Sequence, residues 1–484
     1  MKKLTDILKN TPVREVCGDT AAAIGGLVYD SRAVKPGDCF FAVPGTQSDG
    51  HDYIPIAVEK GAAAIVCERM PADAAEGVAY VLVGDSAGAM ADMAAAFYDY
   101  PSRELKLVGI TGTNGKTTTA TLLYDLVRAM GYKAGLISTV VYKIDGREVE
   151  ATHTTPDSIR LNAMMREMAD AGCAYCFMEC SSHAIVQERT RGLDFAGGIF
   201  SNITHDHLDY HKTFAEYIRA KKLFFDGLPK GAFALTNADD RNGRVMVQNT
   251  AAAVSAYSLR AMADFRCKIV EMHLDGMLLR IDGQELWVGL LGRFNAYNLL
   301  AVYGAAALLG LNRGEVLRVL SMLHAVSGRF EKIRAANGTT AIVDYAHTPD
   351  ALENVIQTIE EIRTPGQQLI VVCGCGGDRD RTKRPEMAQI AVKYASTAIF
   401  TSDNPRHESP EAILDDMVAG LDPGVRYLRI ADRAEAIRTA VMLSRPGDIL
   451  LIAGKGHETY QIVGDVKHHF DDREEVRKSF ELLN

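Results

Sequence analysis

The segment that most constrains this chain is Gly112-Thr113-Asn114-Gly115-Lys116-Thr117-Thr118. It directly follows an apolar run at 105–110 and directly precedes an amphipathic run at 119–130. A glycine-rich turn between a strand and a helix binds phosphate through backbone N–H groups and the helix N-terminus. Lys116 would reach the outer phosphates, and the Thr117 hydroxyl can ligate Mg²⁺. The alternative is a turn with a solvated lysine, because the standard eight-residue pattern needs glycine at position 110, where this chain has isoleucine.

Length and composition predict a multidomain globular protein. The 484 residues exceed what one hydrophobic core supports, and a length prior gives about three domains. The net charge of −9 argues against nucleic acid as the main partner. The sequence has no apolar run long enough to span a membrane, and no apolar region follows Lys2 and Lys3 as it would in a signal peptide. We therefore expect a cytoplasmic protein with no nucleic-acid and no membrane partner.

The nine cysteines predict a reducing compartment. Cys173, Cys176 and Cys180 superficially resemble a metal site. Strand alternation, however, points Cys173 and Cys176 to opposite faces, and no second pair follows at zinc spacing. We expect buried structural thiols.

Alternating strand-like and helical segments predict an α/β protein with three domains. We place a smaller α/β domain at 1–103, with Pro101-Ser102 as a linker, and a central domain at 104–326. The central domain is expected to carry a mostly parallel sheet of the P-loop type. A Rossmann-like domain is predicted at 327–484, with strands at 340–343, 368–373, 398–402 and 448–453.

Two polar segments of the central domain are candidate metal sites. Glu179 follows an apolar strand, and a carboxylate there can hold Mg²⁺ against nucleotide phosphates; the alternative is a helix-capping turn. The run 205–211 contains three His and two Asp. We favour His207 as a ligand of a second divalent ion, with a transition-metal site and a solvated loop as the alternatives.

Four strand ends of the third domain carry polar or glycine-rich turns that should meet at one sheet edge. The first, Asp344-Tyr345-Ala346-His347, could contact a nucleobase or ribose. Arg379, Arg406 and Glu458 lie in the other three turns and suit a zwitterion, because guanidinium groups bind carboxylates and a carboxylate binds an ammonium. Each turn alone would be read as a set of capping residues.

At these residues the chain resembles the Mur ligase family, and the resemblance spans nearly its whole length. It also includes Tyr29-Asp30-Ser31-Arg32, His153-Thr154-Thr155-Pro156, Asn295-x2-Asn298 and Gly328-Arg329-Phe330. The resemblance implies three domains that bind a uridine nucleotide, ATP and an amino acid. It also implies an ATP- and Mg²⁺-dependent, monomeric ligase of peptidoglycan synthesis, which serves cell-wall growth, cell shape and cell division.

The resemblance gives roles to residues that the pattern leaves undecided. Lys221 lies on an amphipathic helix and by pattern alone is a solvated surface charge. It matches the family's carbamylated lysine, an anion that would bind Mg²⁺. The catalytic residues would be Lys116, Glu179, His207 and Lys221. The nucleotide would meet Asn295, Arg329, Asp344 and His347. The UDP-linked substrate would meet Ser31, Thr154, Thr155, Ser181, Gln187 and Arg189. The amino acid would meet Arg379, Asp403, Asn404, Pro405, Arg406, Gly454 and Glu458.

Arg406 bears on which amino acid is added. The Asp403-Asn404-Pro405-Arg406 segment resembles that of the relatives that add meso-diaminopimelate, and lysine-adding relatives have a different residue in place of Arg406. An arginine can clamp the extra carboxylate of diaminopimelate bidentately. The alternatives are a lysine-adding ligase, a ligase like folylpolyglutamate synthase, a P-loop kinase and a nucleotide switch. Residues 1–103 argue against the folylpolyglutamate type, which lacks a separate uridine-binding domain.

Overall fold

Three sheets organise the chain, and each is formed by a separate stretch of sequence. The structure is a computed structural model that describes residues 1–45, 48–151, 153–204, 206 and 208–483. A five-stranded sheet lies within 13–83, an eleven-stranded sheet within 106–288 and a six-stranded sheet within 331–453. The α/β class predicted from the sequence is confirmed.

The first stretch forms the order β2-β7-β6-β5-β4, with only β2 antiparallel among these described strands. Its elements are β1 (Lys2–Lys3), α1 (Leu4–Ile7), β2 (Val13–Cys17), β3 (Ala23–Ile24), β4 (Leu27–Val28), β5 (Cys39–Phe41), α2 (Ile54–Glu59), β6 (Ala64–Cys67), β7 (Ala79–Val83) and α3 (Ser86–Phe97). Short 3₁₀ helices lie at Ser31–Ala33, Gly50–Tyr53 and Pro101–Glu104. Pro101 and Ser102 are buried, so the segment predicted as a linker is a packed 3₁₀ turn.

The second stretch places the phosphate-loop strand in the middle of its sheet. Its elements over residues 106–226 are β8 (Lys106–Thr111), α4 (Lys116–Ala129), β9 (Ala134–Ile137), β10 (Val141–Ile144), β11 (Arg147–Glu150), α5 (Ser158–Asp170), β12 (Tyr175–Glu179), α6 (Ser182–Val186), β13 (Gly197–Phe200), α7 (Leu208–His211) and α8 (Phe214–Asp226). The remainder are β14 (Phe233–Asn237), α9 (Gly243–Val247), β15 (Ala253–Ser258), β16 (Phe265–His273), β17 (Gly276–Ile281), β18 (Gln284–Val288), α10 (Arg293–Leu308) and α11 (Arg313–Leu320).

Strand β8 pairs in parallel with β12 on one side and β13 on the other. Leu107, Val108 and Ile110 are fully buried, which is the pattern of a strand covered by helices on both faces. The carboxyl end of β8 therefore opens beside those of β12 and β13, where open α/β sheets bind ligands. Antiparallel strands extend this sheet at both edges, namely β10-β11 and β17-β18.

The third stretch forms the order β19-β20-β24-β21-β22-β23, and only β19 is antiparallel among these described strands. The predicted convergence of four strand ends on one edge is therefore confirmed. The elements are β19 (Glu331–Arg334), β20 (Thr340–Asp344), α12 (Pro349–Ile362), β21 (Leu369–Cys373), α13 (Lys383–Tyr394), β22 (Thr397–Phe400), α14 (Pro410–Val418), β23 (Leu428–Arg429), α15 (Arg433–Leu443), β24 (Ile449–Ala453), β25 (Tyr460–Val463), β26 (Val466–His469) and α16 (Asp472–Glu481).

The cysteines behave as predicted. Eight of the nine are buried and all are free, including Cys173, Cys176 and Cys180. None of the helices in the described part of the chain combines the length and apolarity that crossing a bilayer requires.

A buried ion pair fastens the last helix to the loops of the third sheet. Arg433 and Asp472 have fully buried side chains. They share two hydrogen bonds of 2.7 Å. The same guanidinium donates to the carbonyls of Ala453 at 3.0 Å and Ser402 at 3.4 Å. Arg433 thus holds together the carboxyl ends of two strands whose loops carry candidate site residues.

We predict that Asp472→Asn destabilises the third sheet by about 3–5 kcal/mol, because it leaves a buried guanidinium without its counter-charge. Hydrogen exchange of the full chain, read on peptides that cover Ile449–Ala453, measures the loss of protection. The control is Arg438→Ala on α15, the helix of Arg433, since the Arg438 side chain is 54% exposed. Equal protection in the Asp472 variant and the control would contradict a structural role for the pair.

Candidate active site

The phosphate-loop segment is a tight turn that runs directly into helix α4. Gly115 lies just before α4 with a φ of +86°, a conformation that favours glycine. A Cβ on Gly112 would lie 1.9 Å from Ser201 Oγ, and one on Gly115 would lie 2.5 Å from Asn298 Oδ1. Glycine is therefore required at both positions, because neighbouring segments of the chain approach too closely to leave room for a side chain. The result is a cradle at the N-terminus of a 14-residue helix.

Two lysine ammonium groups converge on this cradle. Lys116 Nζ donates to the carbonyls of Gly112 at 2.9 Å and Thr113 at 2.8 Å. Lys221 Nζ donates to the same Gly112 carbonyl at 2.8 Å. Lys221 is 1% exposed, so the surface position that helical patterning predicts is wrong. Burial, reinforced by the neighbouring Lys116 charge, holds the pKa of Lys221 well below its usual range.

Glu179 has the surroundings of a metal ligand. It ends strand β12 beside the cradle and is 1% exposed. Its Oε1 accepts a hydrogen bond of 2.7 Å from the Thr139 N–H. Its Oε2 is buried without a hydrogen-bond partner among the described residues. A buried carboxylate oxygen with no donor is costly unless a cation or another donor satisfies it.

Of the other candidate metal ligands, Thr117 is among the described residues and His207 is not. Thr117 is buried in the first turn of α4, and its Oγ1 accepts a hydrogen bond of 3.2 Å from Arg329. Within the described part of the chain, no three His, Cys, Asp or Glu side chains form a metal-binding cluster. Glu179 and Thr117 therefore fit Mg²⁺ only as a site completed by phosphate oxygens, water or further ligands.

A cavity of about 400 Å³ lies between the phosphate loop and the third stretch of the chain. The central stretch contributes Gly115, Thr118 and Asn298, among others, and the third contributes Arg329, Asp344 and His347. Three of the four residues predicted to meet a nucleotide beyond the loop therefore line it. The fourth, Asn295, is not among the lining residues, but its Oδ1 accepts a hydrogen bond of 3.1 Å from Asn298, which lines the cavity.

Hydrogen bonds join the two stretches across this cavity. Asn114 of the phosphate loop donates to Asp350 at 2.8 Å, and Thr204 donates to the same carboxylate at 3.4 Å. Asp350 was missed by the sequence analysis, although it follows the polar turn that ends β20. These contacts place the third stretch directly against the phosphate loop.

Burial sets the charge of the groups around the cavity. It raises the pKa of Asp344 to about 6, although the Phe330 N–H donates to this carboxylate at 2.7 Å. It lowers the pKa of His347 to about 4, so the imidazole is neutral at pH 7. The Arg329 guanidinium stands 4.5 Å above the Tyr345 ring. Arg329 is thus a cation fixed between the cavity and Thr117.

The residues predicted for the UDP-linked substrate gather on the other side of Glu179. Thr155 Oγ1 donates to the Glu179 carbonyl at 2.7 Å and accepts from the Ser181 N–H at 3.2 Å. Arg189 donates to the Thr155 carbonyl and to Gln187, both at 2.6 Å. Thr154 accepts a hydrogen bond of 3.1 Å from Thr139.

The first sheet faces this group of residues. Ser31 is buried in the 3₁₀ helix that follows β4. Burial raises the pKa of nearby Tyr29; the charge of Asp157 adds to this rise and the charge of Arg189 opposes it. The structure therefore brings the Tyr29–Ser31 region next to Arg189.

The residues predicted for the amino acid lie at the carboxyl edge of the third sheet. Asp403 and Asn404 are buried after β22, and Asn404 Nδ2 donates to Glu458 at 2.8 Å. A Cβ on Gly454 would lie 2.7 Å from Asp403 Oδ2, so the glycine lets two strand ends approach. Pro405 is buried beside them, whereas Arg379 is exposed.

Arg406 is held in an unusual backbone conformation. Its φ is +51°, in the left-handed region that non-glycine residues seldom occupy. The hairpin β25-β26 fixes it: Arg406 N–H donates to the Ile462 carbonyl at 3.0 Å, and Gly464 N–H donates to the Arg406 carbonyl at 2.7 Å. The guanidinium donates to the Gly377 carbonyl at 2.8 Å and makes no ion pair with any described residue. Burial and the neighbouring Arg379 lower its pKa.

Lys455 was missed by the sequence analysis. It is fully buried between the loops that carry Asn404 and Glu458, and it contacts both side chains. The signal was available, because Lys455 stands between Gly454 and Gly456 in a segment already singled out. A lysine in a glycine-rich turn is normally read as solvated, which is why it was passed over.

Three family models match the chain. "Mur ligase family, catalytic domain" matches residues 23–98, "Mur ligase middle domain" matches 110–306 and "Mur ligase, glutamate ligase domain" matches 328–456.

Relatives and solved structures agree with these matches. A Phocaeicola vulgatus protein named UDP-N-acetylmuramoyl-L-alanyl-D-glutamate–2,6-diaminopimelate ligase is 55% identical over 480 residues, with 99% of each chain covered. A solved structure of a ligase with the same name is 32% identical with a TM-score of 0.71, covering 100% of this chain and 99% of the other. The MurF ligase from Thermotoga maritima, solved in complex with ADP, is 19% identical with a TM-score of 0.63 and covers 95% of this chain and 97% of the other. At that identity the likeness concerns the fold alone.

We predict that Gly115→Ala weakens nucleotide binding by about tenfold or more, the equivalent of about 1.4 kcal/mol. The added Cβ would displace Asn298 from the cradle. Gly131→Ala, at the other end of α4, is the matched control, because its φ is +88° but nothing lies within 4 Å of the added Cβ. Titration calorimetry with ADP measures both dissociation constants. Equal affinities in the two variants would contradict the role of the Gly115 cradle.

Proposed function

Because the chain belongs to the Mur ligase family, we propose that it is an ATP-dependent amide ligase that adds meso-diaminopimelate to UDP-N-acetylmuramoyl-L-alanyl-D-glutamate. The observation that carries the choice of amino acid is Arg406, whose guanidinium has no carboxylate partner among the described residues and lies near Arg379. Arg379 and Arg406 repel each other; the charges of Asp403, Glu458 and Asp378 offset part of that repulsion, and a bound carboxylate would relieve it further.

The three stretches of chain would divide the substrates between them. Residues 1–103 would bind the uridine part of the first substrate, 104–326 would bind ATP, and 327–484 would bind diaminopimelate. The groups invoked here come from one chain, so the proposal requires no second subunit. We place the reaction in the cytoplasm, where ATP is available.

The reaction would proceed through an acyl phosphate. An oxygen of one of the two free carboxylates of the substrate's glutamate attacks the γ-phosphorus of ATP, and the bond from that phosphorus to the β,γ-bridging oxygen breaks to release ADP. The amine of diaminopimelate then attacks the acyl carbon, loses a proton and expels inorganic phosphate. Lys116 at the loop and Arg329 beside Thr117 would stabilise the charge of the transferring phosphoryl group.

The divalent-ion site would be formed by Thr117, Glu179, His207 and carbamylated Lys221. When bound, Mg²⁺ supplies positive charge that screens the repulsion between carboxylate and triphosphate. The unsatisfied Oε2 of Glu179 supports this assignment.

Carbamylation of Lys221 fits its surroundings. The reaction needs a neutral amine, whose nitrogen attacks CO₂ and then loses a proton to leave an anionic carbamate. Lys221 is buried beside Lys116 and makes no ion pair with a described residue, and both conditions favour the neutral amine.

The direct test of the proposed function is an amide-forming assay with purified enzyme, ATP, Mg²⁺ and the UDP-linked dipeptide. Diaminopimelate, lysine and other amino acids are supplied in turn, and ADP release and the amide product are both measured. We expect turnover with diaminopimelate and little with lysine. Preferred use of lysine would overturn the choice of amino acid, and ADP release without an amide product would overturn the ligase.

We predict that Lys221→Ala lowers turnover on the order of 10²–10³-fold and that added bicarbonate does not restore it. Wild-type enzyme in ¹³C-bicarbonate should show a carbamate carbon signal by NMR, and the variant should lack it. Lys222→Ala, one position along the same helix, is the control and should keep both the signal and the activity. An unmodified Lys221 in the active, ligand-bound enzyme would refute the carbamate.

We predict that Arg406→Ala raises the KM for diaminopimelate by roughly tenfold or more, because a charge-assisted bidentate contact to a carboxylate is lost. The KM for ATP should change much less. Arg406→Lys should not rescue fully, since a point charge cannot reproduce the planar fork. Arg438→Ala controls for loss of a surface arginine in the same stretch. An unchanged KM for diaminopimelate in Arg406→Ala would show that the distal carboxylate binds elsewhere.

A further inference from the structure

Lys455 connects two side chains that are expected to face the incoming amino acid. Its Nζ lies 3.0 Å from Asn404 Oδ1 and 3.0 Å from Glu458 Oε2. The Lys455 side chain is fully buried, whereas Glu458 keeps 12% of its side chain exposed. Lys455 therefore contacts the candidate substrate ligands without itself being open to substrate.

The oxygen of the Asn404 amide is committed to the protein rather than to a ligand. Its Oδ1 accepts hydrogen bonds from Lys455 and from the Ile462 N–H, each at 3.0 Å. Its Nδ2 donates to Glu458 Oε2 at 2.8 Å. An amide oxygen has two lone pairs, so both acceptor positions of Asn404 are filled. Asn404 and Lys455 together fix Oε2 of Glu458.

Glu458 would have difficulty remaining charged without this lysine. Burial and the nearby Asp403 carboxylate both raise the pKa of Glu458, and Lys455 is the first opposing charge. Among the described residues, the other oxygen, Oε1, has one long contact of 3.5 Å, from the Tyr345 hydroxyl. Glu458 Oε1 is therefore the oxygen left with the capacity to accept a hydrogen bond from an ammonium.

We propose that Lys455 is a positioning residue of the amino-acid site: its ammonium holds the Asn404 amide and the Glu458 carboxylate so that Glu458 Oε1 can bind the ammonium of the amino acid. This inference rests on the proposed ligase function. It gives Asn404 a role in orienting Glu458. It also makes the buried Lys455 the positive charge that balances Glu458 and Asp403.

The test compares steady-state constants of the full-length enzyme for all three substrates. Lys455→Met removes the charge at similar length, and Lys455→Gln keeps a hydrogen-bond donor without the charge. Lys478→Met, on an exposed side chain of α16, is the matched control. We expect both Lys455 variants to raise the KM for diaminopimelate by roughly tenfold or more, the effect of losing a hydrogen bond to a charged group. The KM values for ATP and the UDP-linked dipeptide should stay near those of the control.

A double-mutant cycle separates positioning from a general packing defect. If Lys455 acts through Glu458, then Glu458→Gln should raise the KM for diaminopimelate much less in the Lys455→Met background than in the wild type. Additive effects would overturn the inference. So would an unchanged KM for diaminopimelate, equal rises for all three substrates, or failure of both Lys455 variants to fold, which would make the lysine a requirement of the fold alone.

The control variant distinguishes this inference from the proposed function. If wild-type enzyme and Lys478→Met form no amide with diaminopimelate, the proposed function fails and this inference fails with it. If both form the amide while Lys455→Met retains the wild-type KM for diaminopimelate, only the role of Lys455 is lost.

Discussion

Two lysine ammonium groups share the carbonyl oxygen of Gly112, and the organisation of the active site depends on this crowding of positive charge. Two unit charges about 5 Å apart repel each other by about 3 kcal/mol at an effective dielectric constant of about 20. The charges of Glu179 and Asp206 offset part of this repulsion, and a neutral lysine or a bound anion would relieve the rest. A triphosphate beside Lys116 and a carbamate on Lys221 would each relieve the repulsion, and Glu179 adds a further negative group at the same strand edge.

The fold brings the candidate nucleotide and amino-acid sites close to the phosphate loop. Strand β8 delivers the phosphate loop at the middle of the central sheet, and the third stretch closes over it through Asp350 and Arg329. The amino-acid site lies at the carboxyl edge of the third sheet, on the loops that follow β22 and β24, and Arg433 fastens those two strand ends from beneath. In the proposed function, nucleotide and amino acid would thus bind at the carboxyl edges of two sheets, which suits transfer through a short-lived acyl phosphate that must be kept from water.

Sequence patterns predicted the parts of this structure that follow from local rules. The buried strands β8, β12, β20, β21 and β24 are continuous apolar runs, and the polar residues after them were predicted to be ligands because parallel strands end at one edge. The edge hairpins β10-β11 and β16-β18 were not predicted, since their alternation is weak and pairing decides their position. Residue roles beyond the phosphate loop came mainly from family resemblance.

Lys221 and Lys455 show why sequence patterns alone could not predict the remaining site residues. Lys221 occupies a helix position that reads as solvated, and only tertiary packing against the phosphate loop buries it. Lys455 is buried because its own turn supplies Glu458 and a loop 51 residues earlier in the chain supplies Asn404, and separation along the chain hides the second contact. A lysine is buried only where the whole fold provides counter-charges or acceptors, and no window of sequence contains that information.

The central claim is that the site joins a carboxylate to the γ-phosphate before the amide forms. The most direct measurement uses a UDP-linked dipeptide in which both carboxylates of the terminal glutamate carry ¹⁸O, with ATP and diaminopimelate in unlabelled water. The account predicts that each inorganic phosphate released with amide formation contains one oxygen from the carboxylate that reacts. Phosphate that carries no label would mean that water attacks ATP directly, and it would contradict the acyl-phosphate mechanism.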